Sequence, residues 1–298
     1  MSDRANLSAG RGRLVLVGTP IGNREDLSPR ARRVLLEADV LFCEDTRSPT
    51  RLLGEGVRLP ARMSCFVGNE HERVTQLLHA LAEGKRVVFV SEAGMPVWSD
   101  PGRILVDAAL DAGYEVDAVP GPVAATMALA LSGFPAEGAR FWGFLPRTGQ
   151  ARDEALQRIG ADDGAALIYE AGPRMKALLA DLARRPSLSS RRILLARELT
   201  KLHQELERGL PQALLDRERG GWLGEFTVVV EGAQPSPTPT EDERVLGGRA
   251  VLAVMLDPAL RPRERAKRLA DLVQRPAGEL YAELTAATRG THDDGPES

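Results

Sequence analysis

The sequence predicts an α/β protein in which short buried strands alternate with amphipathic helices. Apolar runs of four to six residues recur from residue 13 to residue 232, most of them followed by a turn and a segment of helical period. This alternation is typical of a mostly parallel sheet covered by helices on both faces. The 298 residues are about twice the length of an average domain, and the pattern restarts after the turn at residues 132–135. Two α/β domains are therefore expected, at residues 13–133 and 134–232.

The first domain contains four predicted strands, which are Leu14–Val17, Val40–Cys43, Arg86–Val90 and Tyr114–Val119. Ser28 precedes Pro29, and this pair is typical of a helix start because serine caps the first turn and proline is tolerated at its first position. That helix is predicted to run to about Glu37, and another is predicted over Glu70–Ala82. One more helix is expected on each side of the fourth strand.

The second domain contains strands predicted at Arg140–Phe144, Ala165–Tyr169, Arg192–Ala196 and Glu225–Val230. Residues 233–244 are rich in Pro, Ser, Thr and Glu, the composition of a linker. Residues 245–290 are predicted to form a small helical module, and the polar tail at 291–298 is expected to be disordered. Residues 261–275 carry six basic and two acidic side chains, a pattern that fits either an RNA-binding helix or a solvated amphipathic helix.

The composition excludes several classes of protein. Lys and Arg number 39 against 42 Asp and Glu, and the net charge of −3 argues against binding to nucleic acid through bulk charge alone. Two cysteines cannot form a disulfide framework, and the four histidines lack the spacing of a metal site. The sequence has no Rossmann, P-loop or nucleophile-elbow motif. With no apolar leader and no run of about 18 apolar residues, the chain is expected to be soluble and cytoplasmic, without a membrane or metal partner.

Four loops of unusual composition follow predicted strands, at residues 18–23, 44–47, 91–102 and 120–122. Ligands of such sheets bind in the crevice outside the carboxyl ends of the strands. Glycine lets the backbone approach a ligand closely, and proline stiffens the loop. Turn formation alone explains any one loop, but four loops at one edge favour a binding site. A cleft without a phosphate motif, metal or nucleophile is suited to group transfer by positioning.

Six ordered motifs resemble a known family. They are GTPIGN (18–23), EDTR (44–47), SDPG (99–102), PGP (120–122), GFLPR (143–147) and RELTKLH (197–203). Together they are similar to the bacterial ribosomal RNA small subunit methyltransferase I family. The resemblance implies a tetrapyrrole-methylase-like fold (a class III methyltransferase) with S-adenosylmethionine between two α/β domains, as a homodimer. It also implies 2′-O-methylation of a cytidine in the decoding centre of 16S ribosomal RNA, with naked rRNA or the 30S subunit as partner.

The resemblance and the chemistry of methyl transfer suggest roles for individual residues. Candidates for the base that removes the acceptor proton are Glu170, Asp45 and, if burial lowers its pKa, Lys201. Cofactor binding is implied for Thr19, Pro20, Gly94, Met95, Pro96, Ser99, Asp100, Pro120, Val123, Ala124, Tyr169, Leu199 and Thr200. Contacts with the RNA are expected at Arg47, Arg147, Arg174, Arg263 and Lys267.

Several of these residues also fit purely structural roles. Asp45 and Arg47, with Glu44, fit a loop-fixing ion pair and helix cap as well as they fit catalysis. An internal salt bridge is expected for Arg197 and Glu198 rather than contact with substrate. The aromatic residues of the next motif are expected in the core rather than as stacking surfaces for bases; they are Phe141, Trp142 and Phe144. For Trp98, beside the proposed cofactor loop, both roles remain open.

The chain departs from the family pattern in four places. It has Glu92 where Asp is usual and Met95 where Thr is common. The stretch at 65–70 lacks two histidines that the family tends to carry, so no role is assigned to them here. The usual Tyr-Glu-Ser-Pro-His-Arg reads Tyr-Glu-Ala-Gly-Pro-Arg at 169–174.

Two other functions remain open at this point. A corrin or sirohaem-pathway C-methyltransferase has the same fold, but such enzymes usually begin with a G-x-G-P-G-D-P-type loop, which residues 18–23 do not match. A ribosome-binding factor without catalytic activity is a further alternative. Titration with S-adenosylmethionine separates this factor from both enzymes.

Overall fold

The computed structural model describes residues 12–217, 221–233, 241–273 and 275–290. The chain divides into two compact units, with the boundary after Gln234. Most of the predicted linker at 233–244 and the whole tail at 291–298 lie outside the described residues. The linker prediction is wrong at its end, because the first helix of the second unit already begins at Glu241.

The first lobe of the larger unit is built on a five-stranded sheet. Its strands are β1 (Arg13–Val17), β2 (Val40–Cys43), β3 (Ala61–Ser64), β4 (Arg86–Val90) and β5 (Glu115–Val119). Their order is β3-β2-β4-β1-β5, and all neighbouring strands are parallel, as predicted. Strand β3 was not predicted, since its four residues are exposed or half-buried at the sheet edge and form no apolar run.

Helices cover both faces of this sheet. They are α1 (Pro29–Leu36), α2 (Ser48–Leu53), α3 (Glu70–Ala82) and α4 (Arg103–Asp111). The predicted helix start is confirmed, because the Ser28 hydroxyl accepts a hydrogen bond of 3.0 Å from the backbone N–H of Ala31. The core on one face contains Leu35 of α1 and Leu53 of α2, and the core on the other contains Leu77 of α3.

The second lobe has a mixed sheet. Its strands are β6 (Arg140–Phe144), β7 (Ala166–Ala171), β8 (Ile193–Arg197), β9 (Glu205–Gly209) and β10 (Glu225–Val230). Their order is β6-β7-β10-β8-β9; only the β6–β7 pair is parallel, and the other three pairs are antiparallel. The last strand, β10, therefore lies in the middle of the sheet, next to the strands whose ends form the site.

Five further helices complete the second lobe: α5 (Ala124–Ser132), α6 (Gln150–Ala161), α7 (Gly172–Ala183), α8 (Pro186–Ser189) and α9 (Pro211–Leu215). Helix α5 packs on the sheet of the second lobe, where its Ala125 and Ala128 join Leu167 and Val229 in one buried cluster. The chain thus enters the core of the second lobe before residue 134.

The described residues of the C-terminal unit form three helices, α10 (Glu241–Leu256), α11 (Pro262–Val273) and α12 (Ala277–Gly290). Its small core is formed by Ala266, Leu269 and Leu280. Arg263 and Lys267 are exposed on α11, and the Arg263 guanidinium carbon lies 5.7 Å from the ring centroid of Tyr281, which packs against this core. None of the described helices is long and apolar enough to cross a membrane.

Candidate functional site

A cavity of about 250 Å³ lies between the two lobes and is hereafter called the interlobe cavity. Ten of the predicted site residues line it: Gly94, Met95, Ser99, Asp100, Val123, Ala124, Tyr169, Glu170, Leu199 and Lys201. They come from loops after the strands of the first lobe and from the ends of strands in the second lobe. The cavity thus occupies the place predicted for a ligand, outside the carboxyl ends of parallel strands.

The first-lobe wall of the cavity is made by loops whose backbones touch. A Cβ on Gly18 would lie 2.6 Å from the backbone of Gly121, so only glycine allows these two loops to meet. Thr19 is buried and exchanges two backbone hydrogen bonds with Gly94, of 2.9 and 3.0 Å. These contacts fix the loop that carries Gly94 and Met95 at the cavity.

Two loops beside the cavity carry strained backbone. Val97 and Ser99 in the first lobe have φ of 74° and 66°, and Glu198 and Thr200 in the second lobe have φ of 48° and 65°. Non-glycine residues rarely adopt this left-handed conformation, which is least favourable for the β-branched Val97 and Thr200. Such strain clusters at ligand-binding sites, where the surrounding structure holds it in place.

The two lobes are joined beside the cavity by a short polar contact. The backbone N–H of Asn23 donates a hydrogen bond of 3.0 Å to Oγ1 of Thr200. Gly22 lies so close to the second lobe that a Cβ there would be 2.6 Å from the same Oγ1 and 2.6 Å from Cγ of Lys201. The distance between the lobes is therefore set by direct contact at Gly22 and Thr200.

A series of aromatic rings crosses from one lobe to the other. Trp98 stacks on Phe141 with 4.6 Å between ring centroids, and Phe141 meets the edge of Tyr169 at 5.0 Å. The Tyr169 hydroxyl accepts a hydrogen bond of 3.2 Å from the backbone N–H of Ala125. Phe144 contacts Tyr169 at 5.7 Å and is 57% exposed, so the prediction that it belongs to the core is wrong.

Carboxylates approach one another on the first-lobe side of the cavity. Burial, together with the nearby Glu44 and Glu92 carboxylates, raises the pKa of Asp100 to about 6, against a weaker opposite effect of a hydrogen bond from Ser91. Burial and Glu92 also raise the pKa of Glu44, whose Oε1 is buried without a hydrogen-bond partner. Asp100 is thus a cavity-lining carboxyl group that titrates near neutral pH.

Glu170, the first candidate base, is held in a structural arrangement. Its side chain is 0% exposed and forms an ion pair with Arg174. Its Oε1 also accepts a hydrogen bond of 2.9 Å from the backbone N–H of Ala171. These contacts of Oε1 fit the role of fixing the turn between β7 and α7, whereas Oε2 of Glu170 is buried without a hydrogen-bond partner among the described residues.

Lys201 does not meet the condition set for it as a base. Partial burial acts to lower its pKa, but hydrogen bonds and ion pairs with Glu225 and Glu198 outweigh this effect and raise the pKa. Its Nζ lies 2.6 Å from Glu225 and 3.2 Å from Glu198. The expected lowering of the Lys201 pKa is therefore wrong, since two carboxylates stabilise its charged form.

Asp45 lies outside the residues that line the cavity, in the charged loop after β2. It pairs with both Arg47 and Arg51 at 2.8 Å, and hydrogen bonds from Arg47 lower the pKa of Asp45 to about 2. Asp45 also accepts a hydrogen bond from the backbone N–H of Arg47. This geometry favours the alternative that was left open, an ion pair that fixes the loop.

The remaining predicted residues lie around the cavity or away from it. Pro120 and Thr200 line a shallow neighbouring hollow, Arg47 lines a separate one with Arg51 and Arg62, and Arg147 is exposed. The internal salt bridges expected for Arg197 and Glu198 are present, since Arg197 pairs with Glu205 at 2.9 Å and Glu198 pairs with Lys201 at 3.2 Å. Among the described residues, no group of three or more His, Cys, Asp or Glu side chains is arranged to hold a metal ion.

Comparison with known proteins decides the family. The tetrapyrrole (corrin/porphyrin) methylase family matches residues 13–214. The ribosomal RNA small subunit methyltransferase I of Thermotoga maritima is 42% identical over 224 residues, which are 75% of this chain and 100% of that protein. The chain belongs to the ribosomal RNA small subunit methyltransferase I family. The resemblance inferred from six motifs is thereby confirmed.

Other members of the ribosomal RNA small subunit methyltransferase I family are similar over more of the chain. The protein of this name from Synechocystis sp. is 36% identical over 272 residues, 91% of this chain and 96% of the relative. Among solved structures, the methyltransferase CobJ has a TM-score of 0.56 at 23% identity, covering 76% of this chain and 95% of CobJ. Such a structural likeness shows the fold, and the family membership makes the chain a methyltransferase.

Several cavity residues of this methyltransferase were not among the predicted site residues. They are Ile21, Ala93, Trp98, Phe144, Ala171, Ala196, Glu198, Glu225, Phe226 and Thr227. Residues 225–227 reach the cavity because β10 runs antiparallel between β7 and β8, which brings its first residues to the last residues of those strands. An apolar run reveals burial but not strand direction, so nothing in the sequence pattern located them.

Proposed function

We propose that this chain transfers the methyl group of S-adenosylmethionine to the 2′-hydroxyl of a cytidine in the decoding centre of 16S ribosomal RNA. It acts in the cytoplasm, as a homodimer, on naked rRNA or on the 30S subunit. The observation that carries the proposal is the interlobe cavity with its two strained loops, in a chain whose relatives at 36–44% identity are named rRNA small subunit methyltransferases. The methyltransferase CobJ shares only 23% identity and supports the fold alone, so the proposed RNA substrate rests on the relatives of higher identity.

The residues of the cavity fit the two chemically different parts of the methyl donor. Val123, Ala124 and Leu199 give an apolar wall that suits an adenosine. Asp100 gives a negative charge that suits the sulfonium and the ammonium group of the methionine part. When bound, S-adenosylmethionine supplies a methyl group that its sulfonium has already activated.

Positioning supplies most of the proposed catalysis. Holding two reactants in the right geometry contributes about 7–11 kcal/mol, whereas a general base contributes about 10²–10⁴ in rate. The strained loops at Val97–Ser99 and Glu198–Thr200 are held by interlobe contacts, so they can orient both reactants without further ordering. We therefore expect loss of a base to reduce the rate and loss of loop geometry to reduce it at least as much.

Asp100 is the residue that we assign to electrostatic attraction of the donor at the cavity. Its carboxylate lines the cavity and, with a pKa of about 6, carries a negative charge above that pH, where it stabilises the positive charge of the donor. Glu170 is fully buried and paired with Arg174, and the neighbouring carboxylates stabilise the protonated form of Lys201. These two residues therefore support the geometry of the site.

The C-terminal unit supports RNA binding in this proposal. Its helix α11 exposes Arg263 and Lys267, which fit contacts with RNA phosphates. The relative from Thermotoga maritima is matched over its whole length by 224 residues of this chain, about the length of the two lobes. The C-terminal unit is thus an addition to the catalytic lobes that strengthens the hold on RNA.

Incubation with labelled S-adenosylmethionine tests the proposal directly. The protein is offered naked 16S rRNA, 30S subunits or a tetrapyrrole, and the labelled product identifies the acceptor. We expect label on the ribose of a 16S cytidine, which nuclease digestion to nucleosides identifies. Label on the tetrapyrrole, or binding of the donor without transfer to RNA, would contradict the proposal.

A further inference from the structure

The strand β6 contains an irregularity that turns one aromatic ring toward the interlobe cavity. In the pairing with β7, Phe141 is opposite Leu167 and Gly143 is opposite Ile168, so Trp142 is an extra residue in a β-bulge. Gly143 has φ of 61°, a conformation that glycine adopts without strain. Bulges re-aim side chains and are frequent next to active sites.

The bulge changes the face on which Phe144 lies. In a regular strand, side chains alternate, and Phe144 would share a face with Trp142 and the core under α7. The extra residue places Trp142 against that core and puts Phe144 opposite Tyr169, on the face that carries Phe141 and Leu167. Phe144 therefore leaves a buried position and lines the cavity with 57% of its surface exposed.

Few groups cover the ring of Phe144, and part of it is exposed to solvent. Its ring contacts Tyr169 edge to face, and the Arg174 guanidinium carbon lies 6.0 Å from its centroid. Arg174 is in turn tied to the buried Glu170. An exposed aromatic ring in the wall of a cavity offers a flat apolar surface on which a planar ligand can stack. Planar bases of single-stranded RNA are ligands of this kind, because they stack on aromatic side chains.

We propose that Phe144 is the stacking surface for a nucleobase of the RNA that is presented to the interlobe cavity, with the bulge at Trp142 and Gly143 as the device that places it there. The inference rests on the proposed function and adds a substrate-binding residue to it. The adenine of the methyl donor has the same chemistry, but the apolar wall at Val123, Ala124 and Leu199 already suits it. A half-exposed ring fits a base that arrives from solvent.

Two substitutions at Phe144 separate stacking from the filling of space. Phe144→Leu keeps an apolar side chain without a ring, and Phe144→Trp keeps a ring that can stack. Affinity for unmodified 16S rRNA is measured by filter binding, and affinity for S-adenosylmethionine by calorimetry. Loss of one stacked base corresponds to about 5- to 150-fold in Kd. We expect Phe144→Leu to raise the Kd for rRNA within this range, Phe144→Trp to remain near wild type, and both to bind S-adenosylmethionine as wild type does.

The controls keep the inference distinct from the proposed function. Leu110→Ala is the matched control. Leu110 lies on α4, is 56% exposed like Phe144, and does not line the cavity, so its replacement should leave both affinities unchanged. Thermal unfolding checks that each variant is folded, and we expect the Phe144 variants to fold because the side chain is exposed. The inference is overturned if Phe144→Leu binds rRNA like wild type, if Phe144→Trp is as weak as Phe144→Leu, or if the loss falls on S-adenosylmethionine instead. If the wild-type protein methylates rRNA and Phe144→Leu binds rRNA equally well, only the role of Phe144 is refuted. If the wild-type protein does not bind rRNA, both the role of Phe144 and the proposed function are refuted.

Discussion

Replacement of Gly22 by alanine is expected to disturb the site by pushing the lobes apart. The added Cβ would lie 2.6 Å from Oγ1 of Thr200 and from Cγ of Lys201, and 3.0 Å from the carbonyl oxygen of Leu199. Carbon contacts are normally at least 3.5 Å, so the second-lobe loop must retreat by about 0.9 Å. The backbone conformation of Gly22 is outside the left-handed region, so alanine causes no backbone strain there and its effect is purely steric.

The size of the effect follows from what this retreat breaks. Overpacking costs about 1–3 kcal/mol, and loss of the hydrogen bond from Asn23 to Thr200 adds about 0.5–1.5 kcal/mol. A displacement of about 1 Å at a catalytic site lowers activity by about 10²-fold. We expect Gly22→Ala to reduce kcat/KM for methyl transfer to rRNA by about 100-fold and to raise the Kd for S-adenosylmethionine, as measured by initial rates and calorimetry.

A matched control and a double variant locate the cause. Gly278→Ala adds the same methyl group on α12, where nothing lies within 4 Å, and should leave activity unchanged. Thr200→Ala removes one of the two atoms that the new Cβ meets at 2.6 Å, and it removes the acceptor of the hydrogen bond from Asn23. The Gly22→Ala and Thr200→Ala changes should therefore combine to less than the sum of their effects. Wild-type kcat/KM and donor affinity in Gly22→Ala, or fully additive changes in the double variant, would refute this steric account.

Three other predictions concern charge, stability and RNA binding. Because the pKa of Asp100 is raised to about 6, its carboxyl group becomes negatively charged as the pH rises from 5 to 7. The affinity for the cationic donor, measured by calorimetry, should therefore increase over this pH range in the wild-type protein and stay constant in Asp100→Asn. The buried Arg152, whose side chain is 9% exposed, forms an ion pair of 2.7 Å with Asp181. Asp181→Ala removes this partner and should lower the free energy of unfolding, measured with urea, by about 3–5 kcal/mol. Asp153→Ala removes an ion pair at the surface and should change the same free energy by less than about 1 kcal/mol. Deletion of residues 235–298 should weaken rRNA binding and flatten its salt dependence with unchanged donor affinity, and an unchanged salt slope would exclude the C-terminal unit from phosphate contact.

The sequence pattern predicts elements well where local chemistry determines them. Ser28 and Pro29 set the start of α1, and the apolar runs locate β2 and β4 at the residues that the structure shows. Strand β3 escapes prediction because an edge strand needs no apolar run. Strand β9, Glu205–Gly209, escapes for the same reason, since its residues are exposed or half-buried.

The sequence predicts the location of the candidate site more reliably than it predicts the role of each residue in it. Of the four predicted loops, the loop at 91–102 and Ile21 of the loop at 18–23 line the cavity. The loop at 120–122 lines a neighbouring hollow, and the charged loop at 44–47 does not line the cavity. Roles depend on long-range neighbours, and the pairing of Lys201 with Glu225 is an example that no local pattern reveals. Phe144 shows the same limit, because one extra residue in a strand reverses the face of the side chain that follows.

The central position of β10 has a consequence for the order in which the protein matures during translation. The first lobe has all its strands once Val119 has been made, but the second sheet lacks its middle until Val230 follows. At about 5–20 residues per second, synthesis of the intervening 111 residues takes about 6–22 s. Phe226 and Thr227 form part of the cavity wall. A nascent chain therefore has a finished first lobe for many seconds before it can bind the donor, and activity begins only with almost the whole of both lobes outside the ribosome.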